Sequence, residues 1–448
     1  MLFKLSDLEV SSVKTKLSKK FWLALALFSL IGQVAWVVEN MYLNVFMYKM
    51  FNASAADISA MVAASAVAAT LTTVLIGALS DKLGRRKMFI SAGYILWGIS
   101  ILGFILIDKN TVGALLAGGA SVSAVCVTLV IVLDCVMTFF GSSANDAAFN
   151  AWLTDSTDPT NRGAAEGVNA MMPLVAILAV FGGFMAFDLD RSESWRAIFA
   201  IIGGVVIAVG VIGLFIIKEP DIKPAEQGYF STVIYGFRPS TVRSNPALYI
   251  YLLAFVLFNI SIQIFMPYLI IYYEVSLGMS DYVLVMAPAI LLASVVTFFW
   301  GRVYDKKGFG LSAAVSLAWL CVGYVLLFIF RGKLLVFVGS LLMMCGYLSG
   351  MAVFGAKIRD LTPSGRSGML QGVRIFSQVL LPGVIGPFIG REVLKNADVI
   401  VNNDGTESFV PNASIFLAAL GVCAVLAVFL LLVGRVRKKR GAERSQRV

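Results

Sequence analysis

Twelve long apolar runs divide the chain, and each is long enough to cross a bilayer as a helix. A spanning helix needs about 20 mostly apolar residues, because the hydrocarbon core is about 30 Å thick and a helix rises about 1.5 Å per residue. The runs fall at 21–48, 57–79, 88–107, 116–144, 166–187, 196–217, 247–273, 283–301, 311–330, 334–355, 368–390 and 413–434. Hydrophobic residues make up 59% of the chain and charged residues 14%. A soluble domain is about a quarter charged, so these charges are too few to cover a water-facing surface. Disorder is excluded by the same hydrophobic excess. An outer-membrane barrel would alternate apolar and polar residues in segments of about ten, whereas these runs are unbroken. The sequence predicts an all-α, multi-pass membrane protein.

An even number of spans puts both termini on one side, and Lys and Arg decide which side. Of 36 Lys and Arg, 27 fall on the face shared with the termini and 8 on the opposite face, with Arg374 inside a span. That bias predicts cytoplasmic termini and a plasma-membrane protein. It also accounts for the net charge of +10 without nucleic-acid binding. The polar N-tail, residues 1–20, lacks the short apolar core of a cleaved signal peptide. The basic tail, 435–448, reads as an anchor that favours anionic lipid.

Absences narrow the chemistry. The chain has no histidine, which excludes histidine bases and most zinc or haem sites. Its five cysteines are scattered through apolar runs without metal-ligand spacing. No phosphate-binding glycine loop is present, so ATP-driven pumping is not expected. No cofactor, no metal and no enzymatic activity are expected.

The sequence repeats weakly at half its length. Gly77-Ala-Leu-Ser-Asp81-Lys-Leu-Gly84 returns as Gly301-Arg-Val-Tyr-Asp305-Lys-Lys-Gly308, and Gln33, Tyr42, Leu43 and Ser54 return as Asn259, Tyr268, Leu269 and Ser280. Thr160-Asn-Arg162-Gly is echoed by Pro363-Ser-Gly-Arg366-Ser-Gly. The expected organisation is a six-helix half at 21–217, a proline-containing cytoplasmic linker at 218–245 and a second half at 246–434. Inverted or parallel repeats around a midplane site are the build of secondary transporters.

Gly77 to Gly84, continued by Arg85-Arg86-Lys87, resembles the signature loop of the major facilitator superfamily. The copy at 301–308 and the stretch Asp155…Arg162-Gly163 are similar to that family as well. The resemblance covers nearly the whole chain and implies two pseudo-symmetric six-helix bundles. It also implies a substrate cavity lined by the first, fourth, seventh and tenth spans, and a conformational switch. The switch comprises Gly77, Asp81, Gly84, Arg85, Arg86, Asp155, Arg162, Asp305, Gly308 and Arg366, with the start of the eleventh span as the implied partner of Asp81. Physically, the glycines permit a tight turn, and Asp81 at a helix end favours the positive end of a neighbouring helix. A contact made in one conformation only would bias the equilibrium between states. The run Asn145-Asp146-Ala-Ala-Phe-Asn-Ala-Trp152-Leu-Thr-Asp155 resembles the fourth-helix region of glycoside–pentoside–cation symporters and sucrose carriers, which implies a sugar-binding role for Asp146. Those with cation coupling carry aspartates in the second helix, and this chain has none between Ile58 and Ser80.

Polar groups at membrane depth usually face a cavity or a partner, since a central charge costs about 2.5–3.5 kcal/mol on insertion scales. Gln33, Trp36, Asn40 and Asn44 share one face of the first span, and Asn259 and Gln263 sit in the seventh, near Tyr268. Amides beside an indole suit a hydroxyl-rich ligand; interhelical hydrogen bonding is the alternative use. The fourth span carries Asp134, Thr138, Gly141 and Asn145 on one face. Glu39, about 100° from Asn40 around the first span, faces a neighbouring helix instead. Without histidine, proton coupling falls to a carboxylate: Asp134 or Glu39 first, then Asp146. The alternative for any of these acids is a static bridge to Arg374.

The expected function is secondary transport of a small polar solute, sugar or glycoside first, coupled to a proton or other monovalent cation, by a monomer. Efflux of amphipathic compounds, in keeping with 32 Phe and 17 Met, is a second reading. A transport-dead membrane receptor or scaffold is a third. The Gly118-Gly119 and Gly182-Gly183 pairs are expected to be close-packing surfaces.

Overall fold

The computed structural model describes residues 16–116, 121–158, 161–220, 234–363, 367–402 and 406–445, with backbone only at 367–369, 371 and 436–445. Eleven continuous helices within these residues are long and apolar enough to span a membrane: Lys19–Phe51, Ala55–Leu83, Lys87–Leu106, Val122–Asp155, Arg162–Phe184, Ser192–Ile216, Pro246–Ser276, Tyr282–Ile329, Lys333–Leu361, Gly372–Val393 and Ser414–Arg435. The 48-residue member, Tyr282–Ile329, is about twice what a bilayer accommodates. It folds back at Gly308, whose φ of 75° and ψ of 179° leave the helical region. Only glycine reaches this conformation readily. The hairpin of the second repeat motif therefore separates the eighth and ninth spans, and the protein is a twelve-span all-α bundle.

Local chemistry sets several helix ends. Ser54 accepts the N–H of Asp57, and the Asp57 carboxylate accepts the Ser54 N–H in return, so the second span opens with a capping box. It ends at Gly84 in the left-handed region, φ 60°. The fourth span runs eleven residues past its apolar stretch, to Asp155, through a π-helical segment at Ser142–Phe149. Hydropathy lost it because Asn145, Asp146 and Asn150 are polar, yet backbone bonding continues where neighbouring helices cover such side chains. Further π segments occur at Val38–Tyr42, Tyr272–Ser276 and Phe376–Leu380, in the first, seventh and eleventh spans.

Glycine brings the third and sixth spans together: a Cβ on Gly98 would lie 2.6 Å from the Gly203 carbonyl oxygen. Gly323 and Gly346 do the same between the ninth and tenth, each within 2.5 Å of the other helix's backbone nitrogen. The expectation for Gly182-Gly183 does not hold, since a Cβ there would meet nothing within 4 Å; Gly118-Gly119 lies outside the described residues. Between the first and last six spans, the second packs on the eleventh, where a Cβ on Gly383 would lie 2.5 Å from Ala66 Cβ. An antiparallel hairpin, β1 Val399–Val401 and β2 Glu407–Phe409, sits between the eleventh and twelfth spans with Val399 opposite Phe409.

Candidate functional site

The amide stripe of the first span divides in two. Gln33 and Trp36 are half-buried and Asn40 is exposed. The Asn40 amide donates to the Trp36 carbonyl at 2.8 Å, which fixes its orientation. The π segment at Val38–Tyr42 then disturbs the helical count, and Asn44 is fully buried, donating to the Asn40 carbonyl at 3.0 Å. Trp36 lies 5.1 Å from Trp97, ring to ring, and its buried indole nitrogen has no partner among the described residues.

Glu39 turns the other way. It is 5% exposed, and its Oε1 accepts from Ser65 Oγ of the second span and Thr138 Oγ1 of the fourth, both at 2.9 Å. Asp134, one turn before Thr138 and 1% exposed, acts electrostatically on Glu39. Asp146, half-buried, accepts from Ser142 Oγ at 3.0 Å. Arg374, also half-buried, lies near Arg359 of the tenth span, and among the described residues it pairs with none of the three acids. The structure thus joins Glu39 with Asp134 and leaves Arg374 apart.

Other residues named from the sequence are engaged within the protein. Asn145 is 3% exposed and donates to Tyr94 Oη at 2.6 Å; Tyr94 in turn donates to the Phe28 carbonyl at 2.6 Å. The π segment explains why Asn145 leaves the face of Asp134 and Thr138. Gly141 sits against Trp97 and Trp36. Asn259 is 6% exposed and donates to its own helix at Phe255. Gln263 is half-buried and packs against Gly386. Tyr268 is fully buried and donates to the Ala55 carbonyl at 3.0 Å, linking the seventh span to the second.

The bonds between the two sets of six spans gather at the face opposite the termini. Tyr42 and Tyr282 hydroxyls meet at 3.1 Å, and Lys49 pairs with Glu274. Tyr48 donates to the Phe409 carbonyl at 2.7 Å, and Asn52 donates to Thr406 Oγ1 at 2.8 Å. These last two clasp the end of the first span under the β-hairpin. In the sequence Lys49 is one of the eight charges on the face opposite the termini, and nothing there signals the hairpin.

At the terminus-bearing face the ion pairs run within one set of spans. Arg86, 4% exposed, reaches Asp81 Oδ1 at 2.5 Å, Asp155 Oδ2 at 3.0 Å and Ser80 Oγ at 2.5 Å. Its backbone N–H and that of Lys87 donate to Glu219, which closes the start of the third span. Asp81 therefore has an arginine of its own loop as partner. Arg366, beside the implied partner of Asp81, lies outside the described residues. Arg85 and Asp305 are exposed, and Gly77 is half-buried against Ala147. Arg162 wraps the end of the fourth span through the Thr154 and Thr157 carbonyls, at 3.1 and 3.0 Å. Tyr304 donates to Asp360 at 2.5 Å, the counterpart contact in the last six spans.

Twelve apolar spans with the two sets of six joined at one face have the architecture of a membrane transporter, not of an enzyme. The profile of the Major Facilitator Superfamily matches residues 21–387, and the chain belongs to that superfamily. Among solved structures it is similar to a mutant of the nucleoside transporter NupG, with a TM-score of 0.70 at 14% identity, covering 91% of this chain and 98% of that one. It is likewise similar to a bacterial homolog of the human lysosomal transporter Spinster, inward-facing and occupied, with a TM-score of 0.69 at 16% identity, covering 94% and 98%. No curated protein matches the sequence.

Proposed function

We propose that the protein is a secondary active transporter of a small polar solute, a sugar or glycoside first, coupled to protons through buried carboxylates. Alternating access would rock the halves 21–217 and 246–434 about the midplane, with the linker 218–245 between them. The termini are cytoplasmic on the Lys and Arg bias, so the sealed face is the outer one. The protein acts as a monomer in the plasma membrane, its basic tail against anionic lipid.

The observation that carries this reading is the division of labour within the first span. Asn40 remains exposed next to half-buried Gln33 and Trp36, while adjacent Glu39 is buried against the second and fourth spans. A solute with many hydroxyls can bond the amides and lie on the indole. A carboxylate one residue away can sense protons without touching the solute.

Proteoliposome transport with a pH-sensitive dye tests it, against monosaccharides, disaccharides and nucleosides, then lipophilic cations. Proton movement dependent on one hydroxyl-rich solute, with accumulation lost but downhill exchange kept in Asp134→Asn, is the expected outcome. Retained uphill accumulation in that variant would defeat the coupling role. Proton movement with lipophilic cations alone would replace sugar uptake by efflux.

A further inference from the structure

Glu39, Ser65 and Thr138 come from three different spans, and their oxygens form a closed triangle. Ser65 Oγ and Thr138 Oγ1 each lie 2.9 Å from Glu39 Oε1 and 2.8 Å from each other. Three O···O contacts of this length need three hydrogens, one for each side. Each hydroxyl supplies a single hydrogen, and an ionised carboxylate supplies none. With only two hydrogens, one side would set lone pairs against each other in a site too dry to screen them. A proton on Glu39 Oε1 completes the ring: Glu39 donates to one hydroxyl, that hydroxyl to the other, and the second back to Glu39.

Two buried oxygens beside the ring have no partner among the described residues, Glu39 Oε2 and Asp134 Oδ1. The charged groups acting on Glu39 are Asp134 and Asp146, both from the fourth span. The second span contributes the Ser65 hydroxyl, which also acts on the Asp134 carboxyl, and no ionisable group at this point. No lysine or arginine is among the groups that act on Glu39 or Asp134. Two ionised carboxylates here would be two unpaired buried charges, each costing several kcal/mol. At least one positive charge is missing from the site, and contacts of hydrogen-bond length fit a proton better than a metal ion.

We propose that Glu39, Ser65, Thr138 and Asp134 form a seat for one proton, carried on Glu39 Oε1 while the outer face is sealed, with Asp134 as the second carboxyl that shares it. Ser65 is the positioning residue, and it is half-buried rather than sealed in. When the halves rock, any shift of the second span against the first opens the Ser65 side of the triangle and frees the proton from its ring. This deepens the transport reading above and rests on it for the role of the proton. The occupancy of the seat is a property of the protein alone.

The test reads the carboxyl directly. Infrared difference spectra of the purified full-length protein, taken across pH, report the C=O stretch of a protonated carboxylic acid. A titrating band lost in Glu39→Gln is expected. In Ser65→Ala the band should move and its midpoint shift, and Ser65→Thr should restore both. A band unchanged in Glu39→Gln and in Ser65→Ala would overturn the proposal. So would a band that vanishes on adding sodium at fixed pH, which would make the seat a metal-ion site. The band requires no solute, so a protein that shows it but moves nothing retains the seat and loses only the transport reading.

Discussion

Lys49, near the end of the first span, is ion-paired with Glu274, near the end of the seventh, and this pair crosses between the two sets of six spans. Lys49 also holds Asp190 at 3.0 Å, on its own side of the divide. Its side chain is 8% exposed, so a lone charge there would be costly. Asp190 supplies a partner that stays when Glu274 departs, and the gate can open without stranding the lysine. Glu274→Gln should therefore cost the sealed state only about 1–2 kcal/mol, a factor of about 5–30 in population. Lys49→Ala, which leaves Glu274 unpaired, should cost about 2–5 kcal/mol. Spin-label distances across the sealed face give both populations. Equal distributions in wild type and both variants would refute the gate.

A second lock lies beside it at Asn52. This residue ends the first span at φ 54° and ψ 40°, the one described non-glycine residue with positive φ. Its side-chain amide donates to Thr406, and Asn402 and Ser408 donate to its side-chain oxygen Oδ1 at 3.4 and 3.3 Å. Asn52→Gly keeps the backbone freedom and loses the bonds, costing about 1 kcal/mol. Asn52→Ala loses the bonds and adds about 1–2 kcal/mol of left-handed strain. Melting temperatures in detergent should fall in the order wild type, glycine, alanine. Alanine equal to or above glycine would contradict the geometry.

Much of this architecture is legible in the sequence because hydropathy and charge bias are strong, additive signals over twenty residues. The hairpin turn at Gly308 follows from a repeated motif. The site is harder to read for a local reason. Face counting assumes 100° per residue, and the π segments at Val38–Tyr42 and Ser142–Phe149 fall among the counted residues. Asn44 and Asn145 accordingly turn into the packing, while Glu39 meets Thr138. Ser65 carries no sequence signal, since a serine in an alanine-rich helix can equally bond its own backbone. The Asn52 clasp pairs residues some 350 positions apart, and periodicity cannot see that.

Asp108 links the third span to the sixth at the sealed face. It accepts from the Asn110 and Thr111 N–H groups at 2.8 and 2.9 Å, from Thr111 Oγ1 at 2.7 Å and from Arg196 at 2.6 Å. Burial alone would raise its pKa, but these donors outweigh that and hold it at about 2. The unfolded value is about 3.9, so the stabilising contribution is full above that pH and is lost as pH falls toward 2. Asp108→Asn should melt below wild type at pH 7, and the two curves should converge on acidification from about pH 4 to 2. A gap that stays constant across that window would exclude the ionised carboxylate as its source.

Gly383 sets how closely the two sets of spans approach at depth. A Cβ there would lie 2.5 Å from Ala66 Cβ, a contact that real side chains do not make. Gly383→Val must therefore push the eleventh span from the second. The expected result is a sealed state depopulated more than in Glu274→Gln, read from the same spin-label distances. Ala66→Gly in the same chain should restore part of it by removing the opposing carbon. A valine variant with wild-type distances would show that the helices have slack.

Arg86 sits between two acids, and that arrangement makes a prediction about additivity. Asp81 and Asp155 hold it from the second span and from the end of the fourth, with side-chain exposures of 48% and 27%. Removing either acid leaves the buried guanidinium with the other, so Asp81→Asn or Asp155→Asn alone should cost about 1 kcal/mol. Removing both leaves an uncompensated buried charge, for which about 3–5 kcal/mol is typical. The double variant should therefore lose more stability than the two singles together, since residues in one network do not add. Denaturation of the four proteins in one detergent measures the cycle. Additive losses would mean that the two acids act on Arg86 independently, and that the loop is a positively charged turn rather than a coupled switch.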